Sequence, residues 1–235
     1  VLIPPGEFMM GSKLSPEQVV QQFRKYYALK PEYFQREHPR HAVRVATPYY
    51  MGIHEVTNAQ YRRFERDHDG KYSEGDNLGR DDQPVVYVSW EEATGFCKWL
   101  SQQTGLECRL PTEAEWEYAC RAGTDDGFTF GSDPKELHHY GNYADKNTSF
   151  DYADKDADDG YRLTAPVGSY RPSAWGLYDM HGNVWEWCRD WYGESYYTNS
   201  PKEDPKGPQT GTGRVLRGGS WSFSPWYCRS AYRFS

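Results

Sequence analysis

The sequence lacks several features that would assign it to common classes of protein. None of its apolar runs approaches the roughly 20 residues that a membrane-spanning helix requires, and no signal peptide is visible. Its Lys and Arg residues form no long basic run, and the formal net charge of the 235 residues is −7. Because phosphate recognition needs a basic face, we do not expect nucleic-acid binding. Because no apolar run is long enough, we do not expect membrane insertion either.

Cysteine is scarce and follows no recognisable pattern. The five cysteines lie at positions 97, 108, 120, 188 and 228, an odd count without C-x-x-C spacing. That distribution excludes both a complete disulfide framework and a zinc knuckle. We therefore expect reduced thiols, which are typical of a cytoplasmic protein.

No linker rich in Pro, Gly or Ser divides the chain, so we predict one domain over residues 1–235. Aromatic residues make up 17% of the sequence, which indicates a core built largely from flat rings. Short strands are predicted at His41 to Val45, Tyr49 to Ile53 and Arg214 to Arg217. Between them the chain is mostly loop, so the predicted fold class is α+β with little regular structure.

Capping boxes predict three helix starts, because a Ser or Thr caps one backbone N–H and a Glu or Gln three residues later reaches back. The boxes are Thr57 with Gln60, Ser89 with Glu92, and Thr112 with Glu115. The first helix is predicted to pass Tyr61 and Phe64 and to end near Arg66. The second is predicted to end near Gly105, and the third before Gly123.

Residues 13–40 have the character of an insertion. A short helix is predicted from Pro16 to Tyr27, and its simplest interpretation is a surface helix that covers the core. The acidic stretch 145–160 predicts a solvated loop.

Four segments carry a resemblance to a known family. They are IPPGEFMMGS at 3–12, RLPTEAEWEYACRAG at 109–123, GLYDMHGNVWEWCRDW at 176–191, and RVLRGGSWSFSPWYCRSAYRFS at 214–235. Together they resemble the formylglycine-generating enzyme (sulfatase-modifying factor) family, a variant of the C-type lectin fold. The resemblance covers nearly the whole chain, and it implies that the closing C-terminal strand of the fold lies beyond Ser235.

The resemblance implies two structural calcium sites built from oxygen ligands on separated loops. The first would use the side chains of Asn142 and Asp159 with the carbonyls of Tyr143 and Tyr161; the second would use the side chains of Glu55, Asp179 and Glu186 with the carbonyls of Gly182 and Val184. Calcium accepts six to eight such oxygens. Glu186 also lies between two tryptophans, where a buried carboxylate needs a cation or an arginine to neutralise it.

The family's enzymes hold copper between two cysteines that follow the Gly-Gly-Ser turn and drive oxidation of a substrate cysteine. At the matching positions this sequence has Phe223 and Cys228. A soft Cu(I) ion cannot be held linearly by one thiolate and a phenyl ring, so copper and formylglycine generation are not expected. No catalytic residue is expected. The alternative is a metal-dependent oxidase of this family that acts on a protein or small-molecule thiol through Cys228.

The C-terminal segment also resembles the variable proteins of diversity-generating retroelements, in which a fixed frame holds positions that vary. The matching frame is Gly218, Gly219, Ser220, Trp221, Pro225, Cys228, Arg229, Ser230, Ala231 and Arg233. Trp226 is assigned to the frame as well, and Ser, Phe and Tyr fill the other places between its members, a composition suited to binding. The predicted ligand-binding residues are Trp221, Ser222, Phe223, Ser224, Trp226, Tyr227, Tyr232 and Phe234. The sequence thus predicts a non-catalytic protein that binds a protein or other macromolecular ligand.

Overall fold

The computed structural model of the chain describes residues 1–26, 29–70, 72–73 and 76–235. Its α-helices are α1 (Pro16–Phe23), α2 (Asn58–Tyr61), α3 (Trp90–Thr104) and α4 (Glu113–Arg121). Its strands are β1 (Leu2–Ile3), β2 (Gly6–Met10), β3 (His41–Val45), β4 (Tyr49–Tyr50), β5 (Tyr72–Ser73), β6 (Asp76–Asn77), β7 (Glu186–Trp191) and β8 (Arg214–Arg217). Short 3₁₀ helices cover Pro31–Glu37, Pro134–His139, Tyr196–Asn199 and Pro225–Cys228. The fold is therefore α+β and loop-rich, as predicted.

The strands form four separate antiparallel pairs: β1 with β4, β2 with β3, β5 with β6, and β7 with β8. In the last pair Glu186 is opposite Arg217, and an irregularity follows before Trp191 meets Arg214. Phe234 then joins the free side of β8 through two main-chain hydrogen bonds with Leu216, of 2.9 and 3.1 Å. The C-terminal segment is thereby attached to the sheet that carries Glu186.

All three predicted capping boxes are confirmed, with both reciprocal hydrogen bonds present in each. Helix α2 is shorter than predicted, because beyond Tyr61 the chain turns with 3₁₀-type bonds and Phe64 packs against Tyr61 and Phe96. Helix α3 ends at Gly105 as predicted, in a left-handed conformation. For α4 the left-handed cap is Ala122, one residue before the predicted Gly123.

Two predicted strands match the structure residue for residue, His41–Val45 and Arg214–Arg217. The third prediction was too long. It stops at Tyr50, because the carbonyl of Ile53 accepts a hydrogen bond of 2.8 Å from the Tyr178 N–H instead of a strand partner.

The insertion carries a surface helix that covers the core, as predicted. Helix α1 begins at a Ser15 cap and ends at Phe23; the predicted end at Tyr27 lies outside the described residues. Val19 and Phe23 of this helix are fully buried, and Phe23 packs against Trp226 with ring centroids 6.5 Å apart. Helix α1 therefore covers the inner side of the C-terminal segment. Within the described residues, no helix has the length and apolar character needed to cross a bilayer.

Candidate functional site

Buried ion pairs fix the C-terminal frame to the rest of the fold. Arg229 donates to both oxygens of Glu37 at 2.8 and 2.5 Å, and Arg233 donates to both oxygens of Glu113 at 2.6 and 2.8 Å. Arg217 pairs with Glu117. Burial this complete would be costly for unpaired charges, so the geometry of these pairs determines where the C-terminal segment lies.

The Gly-Gly turn brings the start of this segment against Cys228. Gly219 has a φ of +81°, and a Cβ built on it would come within 2.8 Å of the Cys228 Sγ and 3.1 Å of the Cys228 N. A side chain at position 219 would therefore require a strained backbone conformation and would clash with Cys228. Glycine is required here for the chain to reverse so closely.

Main-chain hydrogen bonds anchor the residues that follow the turn. The N–H of Trp221 donates to the Asn183 carbonyl at 2.9 Å, and the carbonyl of Phe223 accepts from the Ala144 N–H at 2.9 Å. The carbonyl of Ser222 accepts from the Tyr152 hydroxyl at 2.9 Å. The backbone position of 221–223 thus depends little on which side chains these residues carry.

Those side chains form part of a half-buried aromatic surface, which we define as Trp185, Trp221, Ser222, Phe223, Tyr227 and Phe234. The Phe223 ring lies 5.3 Å from that of Trp185 and 4.8 Å from that of Tyr227, edge to face in both pairs. Trp185 stacks on Phe234 at 5.2 Å. Such rings provide a large contact area, and their side chains lose little conformational entropy on binding.

Three predicted ligand-binding residues are corrected by the structure. Ser224, Trp226 and Tyr232 are buried, with 1%, 5% and 5% of their surfaces exposed. Trp226 packs against Phe23 and Tyr26 of the insertion, and the sequence could not place that segment beneath it. These three residues support the aromatic surface from within; Trp221, Ser222, Phe223, Tyr227 and Phe234 remain available for contact.

Sequence reasoning missed one member of this surface, Trp185, and two rings that lie beside it, Phe150 and Tyr152. Trp185 stands at its centre, and Phe150 and Tyr152 stack on each other at 5.1 Å beside Trp221. The signal for Trp185 was its place before β7, next to Glu186, where alternation puts neighbouring side chains on opposite sides. The predicted solvated loop 145–160 carries the other two rings inward, so its acidic composition concealed their role.

Cys228 is buried and makes a poor reactive group. It is fully inaccessible to solvent, and desolvation raises the pKa of its thiol. A thiol in this state holds its proton at neutral pH, whereas nucleophiles and soft metal ligands are thiolates. The ring of Phe223 occupies the position at which the family's enzymes have the other copper-binding cysteine. The donor set does not fit copper. All five cysteines are free thiols.

The second predicted calcium set contains three carboxylates whose pKa values are raised, first of all by burial. Burial raises the pKa of Glu55 well above its usual range, and Asp179 and Glu186 add to that rise. Burial likewise raises the pKa of Asp179 to about 6 and that of Glu186 to about 7. Among the described residues no Lys or Arg lies within ion-pair distance of these three. The arginine alternative for Glu186 therefore has no support.

Hydrogen bonds hold two of these carboxylates, Glu55 and Asp179, in place. Glu55 accepts from the Asn183 side chain at 2.7 Å and from the Val184 N–H at 3.1 Å. Asp179 has a positive φ of 60° and accepts from the Gly168 N–H at 2.7 Å through one oxygen. Its other oxygen is buried and has no hydrogen-bond partner in the described structure. A buried, partnerless carboxylate oxygen is what a hard cation would satisfy.

The first predicted set lies next to the second. Asp159 accepts from the N–H groups of Tyr143 and Tyr161 at 3.0 and 2.9 Å, and burial raises its pKa to about 7. The Asn142 side chain donates to the Leu163 carbonyl at 2.7 Å, which leaves its own oxygen buried without a partner. Both sets therefore present the kind of oxygen that calcium binds.

Side-chain clusters alone do not define a metal centre here. No group of three or more His, Cys, Asp or Glu side chains within the described ranges has metal-binding geometry. The two predicted sets combine carboxylate oxygens with main-chain carbonyls and, in the first set, an amide oxygen, ligands that suit calcium and not the softer transition metals.

A family model described as "Sulfatase-modifying factor enzyme 1-like domain" matches residues 1–235. The chain belongs to this family. It is 43% identical over 180 residues to "Formylglycine-generating enzyme" of Streptomyces coelicolor, which covers 74% of this chain and 51% of that protein. The chain thus spans about half the length of that curated relative. The family assignment and the α+β fold class drawn from the sequence are confirmed.

Two solved structures share the fold of this sulfatase-modifying factor domain over almost its full length. "Structure of PvdO from Pseudomonas aeruginosa" superposes with a TM-score of 0.77 at 28% identity, covering 100% of this chain and 86% of that one. "Treponema denticola variable protein 1" superposes with a TM-score of 0.74 at 27% identity, covering 99% of this chain and 87% of that one. The fold therefore occurs in a protein that is named for variation.

Proposed function

We propose that this sulfatase-modifying factor domain is a non-catalytic protein that binds a macromolecular ligand, most simply another protein, through its aromatic surface. The observation that carries the proposal is how the surface is held. Frame arginines and main-chain hydrogen bonds fix the backbone, and the side chains of Phe223 and Tyr227 take no part in that anchoring. An arrangement of this kind accepts different side chains without refolding.

Similarity to Treponema denticola variable protein 1 supports the proposal, and the identity to formylglycine-generating enzymes favours the alternative oxidase. The residues favour the non-catalytic function. A single buried thiol at Cys228 beside the Phe223 ring lacks the pair of soft donors that Cu(I) requires.

We also propose that calcium occupies the two oxygen sets and holds their loops together. The Asn183 carbonyl of one loop and the Ala144 N–H of another both anchor the aromatic surface. The Asn142 carbonyl accepts from the Asn183 N–H at 2.7 Å, so the loops of the two sets meet directly beneath Trp221. Calcium would therefore act on binding only by positioning this surface.

Substitution of the surface rings tests the ligand-binding proposal. Peptides selected from a random-peptide phage library on the immobilised protein serve as the probe. We expect Phe223→Ala and Tyr227→Ala each to cost about 2 kcal/mol, roughly thirtyfold in Kd, because central aromatic residues dominate such interfaces. Isothermal titration of the selected peptides measures the change.

Tyr50→Ala is the matched control, since Tyr50 is a ring exposed over 81% of its surface on β4, outside the aromatic surface. It should leave peptide affinity unchanged. Thermal melts of all three variants should match the wild type. Unchanged affinity in Phe223→Ala and Tyr227→Ala, or a large fall in their melting temperatures, would contradict the proposal, the latter by showing these rings to be core.

A further inference from the structure

The insertion supplies a positively charged group at the edge of the aromatic surface. Arg36 lies on the 3₁₀ helix Pro31–Glu37, which is clamped on both sides of it. The neighbouring Glu37 carboxylate is bound by Arg229, and the carbonyl of Arg36 itself accepts from Arg233 at 3.0 Å. The backbone of Arg36 is thereby fixed to the same frame that holds the aromatic surface.

Arg36 has no ion-pair partner among the residues that the structure describes, and its Nε is a buried donor without a hydrogen-bond acceptor. The buried carboxylates of the frame are already paired. Both oxygens of Glu37 accept from Arg229, and both oxygens of Glu113 accept from Arg233. Neither carboxylate therefore neutralises the positive charge of Arg36, although the formal net charge of the chain is −7.

The guanidinium of Arg36 lies close enough to three tyrosines, in and beneath the aromatic surface, to affect the pKa of their hydroxyls. Burial raises the pKa of the Tyr192, Tyr227 and Tyr232 phenols, and the charge of Arg36 counteracts that rise at all three. The Tyr192 hydroxyl is a second buried polar atom without a hydrogen-bond partner. Tyr33 lies on the same 3₁₀ helix as Arg36 and is exposed over 43% of its surface. It contributes to the raised pKa of the Tyr227 hydroxyl.

We infer that Arg36 forms a carboxylate-binding subsite at the rim of the aromatic surface, so that the ligand is a protein presenting an acidic side chain beside an apolar or aromatic one. The inference rests on the proposed ligand-binding function and adds the chemistry of the partner. Charge complementarity carries it: a guanidinium without an ion-pair partner among the described residues gains a charge-assisted hydrogen bond from a carboxylate. An apolar neighbour would at the same time cover the rings of Phe223 and Tyr227.

A pair of small probes tests the subsite directly. Phenylacetate and phenylacetamide share the aromatic ring and differ in the carboxylate, and arginine Nε–H resonances of isotope-labelled protein report their binding. We expect phenylacetate to bind about tenfold more tightly than the amide and to shift the Arg36 Nε–H signal. The Arg36→Gln variant should bind both probes alike, at the affinity that the wild type shows for the amide.

Arg24→Gln is the matched control, because Arg24 is an exposed arginine of the same insertion, at the end of α1. It removes the same charge and should keep the tenfold preference. Equal binding of the two probes by the wild type, a preference that survives Arg36→Gln, or no binding of phenylacetate would overturn the subsite. Equal binding that Phe223→Ala weakens would leave the proposed function intact, so failure of the subsite can be told apart from failure of the surface.

Discussion

Replacing Glu113 with alanine is expected to lower the free energy of unfolding by about 3–5 kcal/mol, because it leaves a buried arginine without its counter-charge. Glu113 is 2% exposed, binds Arg233 through both oxygens, and lies 3.9 Å from the Nε of Arg217. Neither guanidinium can reach water without moving the C-terminal segment. Urea unfolding monitored by tryptophan fluorescence measures the loss.

Glu203 offers a matched control for this experiment. It pairs with Arg44 at 3.6 Å, and its side chain is 64% exposed. Glu203→Ala should change the free energy of unfolding by less than about 1 kcal/mol, as exposed ion pairs do. If Glu113→Ala were no more costly than Glu203→Ala, the buried pairs would not be what fixes the frame.

Removing calcium is expected to lower the melting temperature by about 5–10 °C for each occupied site. A ligand at about 100 times its Kd stabilises the folded state by about 2.7 kcal/mol, and each kcal/mol corresponds to roughly 2–4 °C in a domain of this size. The physical cause is that a cation compensates the burial of the Glu55, Asp179 and Glu186 carboxylates and, to a smaller extent, the repulsion that Asp179 and Glu186 exert on Glu55. Differential scanning calorimetry in EDTA and in excess calcium measures the shift.

Two isosteric variants assign the shift to its sites. Asp179→Asn keeps an acceptor for the Gly168 N–H and tolerates the positive φ, and Asp159→Asn keeps an oxygen for one of its two N–H donors. Each should remove part of the calcium-dependent rise. Asp156→Asn, which changes a carboxylate with an exposed side-chain fraction of 86%, should retain all of it. An identical wild-type melting temperature with and without calcium would argue against structural calcium.

Local signals made the helices and two strands predictable from sequence. A capping box involves residues three positions apart, so Ser89 and Glu92 identify the start of α3 without knowledge of the rest of the fold. The strand His41–Val45 follows from alternation in the same way. Strand β7 was missed, because its tryptophans, charges and buried cysteine give no clear period of two.

Contacts between distant parts of the chain could not be predicted. Arg229 and Glu37 are separated by 192 positions, and no pattern in either segment indicates the other. The same limit explains why Trp226 was assigned to the ligand surface, since its burial depends on Phe23 and Tyr26 of the insertion. The two predicted calcium sets came from the family resemblance. Arg36 could not be predicted as a binding residue, because only the structure shows that Glu37 and Glu113 are paired with other arginines.

The most direct test of the account is an assay for oxidation of a peptide thiol. The protein, supplied with Cu(I) and oxygen, is incubated with a cysteine-containing peptide, and aldehyde is detected by mass spectrometry after hydrazide labelling. The formylglycine-generating enzyme of Streptomyces coelicolor, assayed in parallel, serves as the positive control. With Phe223 in place of a second thiol we predict an unchanged peptide; aldehyde formation above the copper-only background would contradict the non-catalytic account.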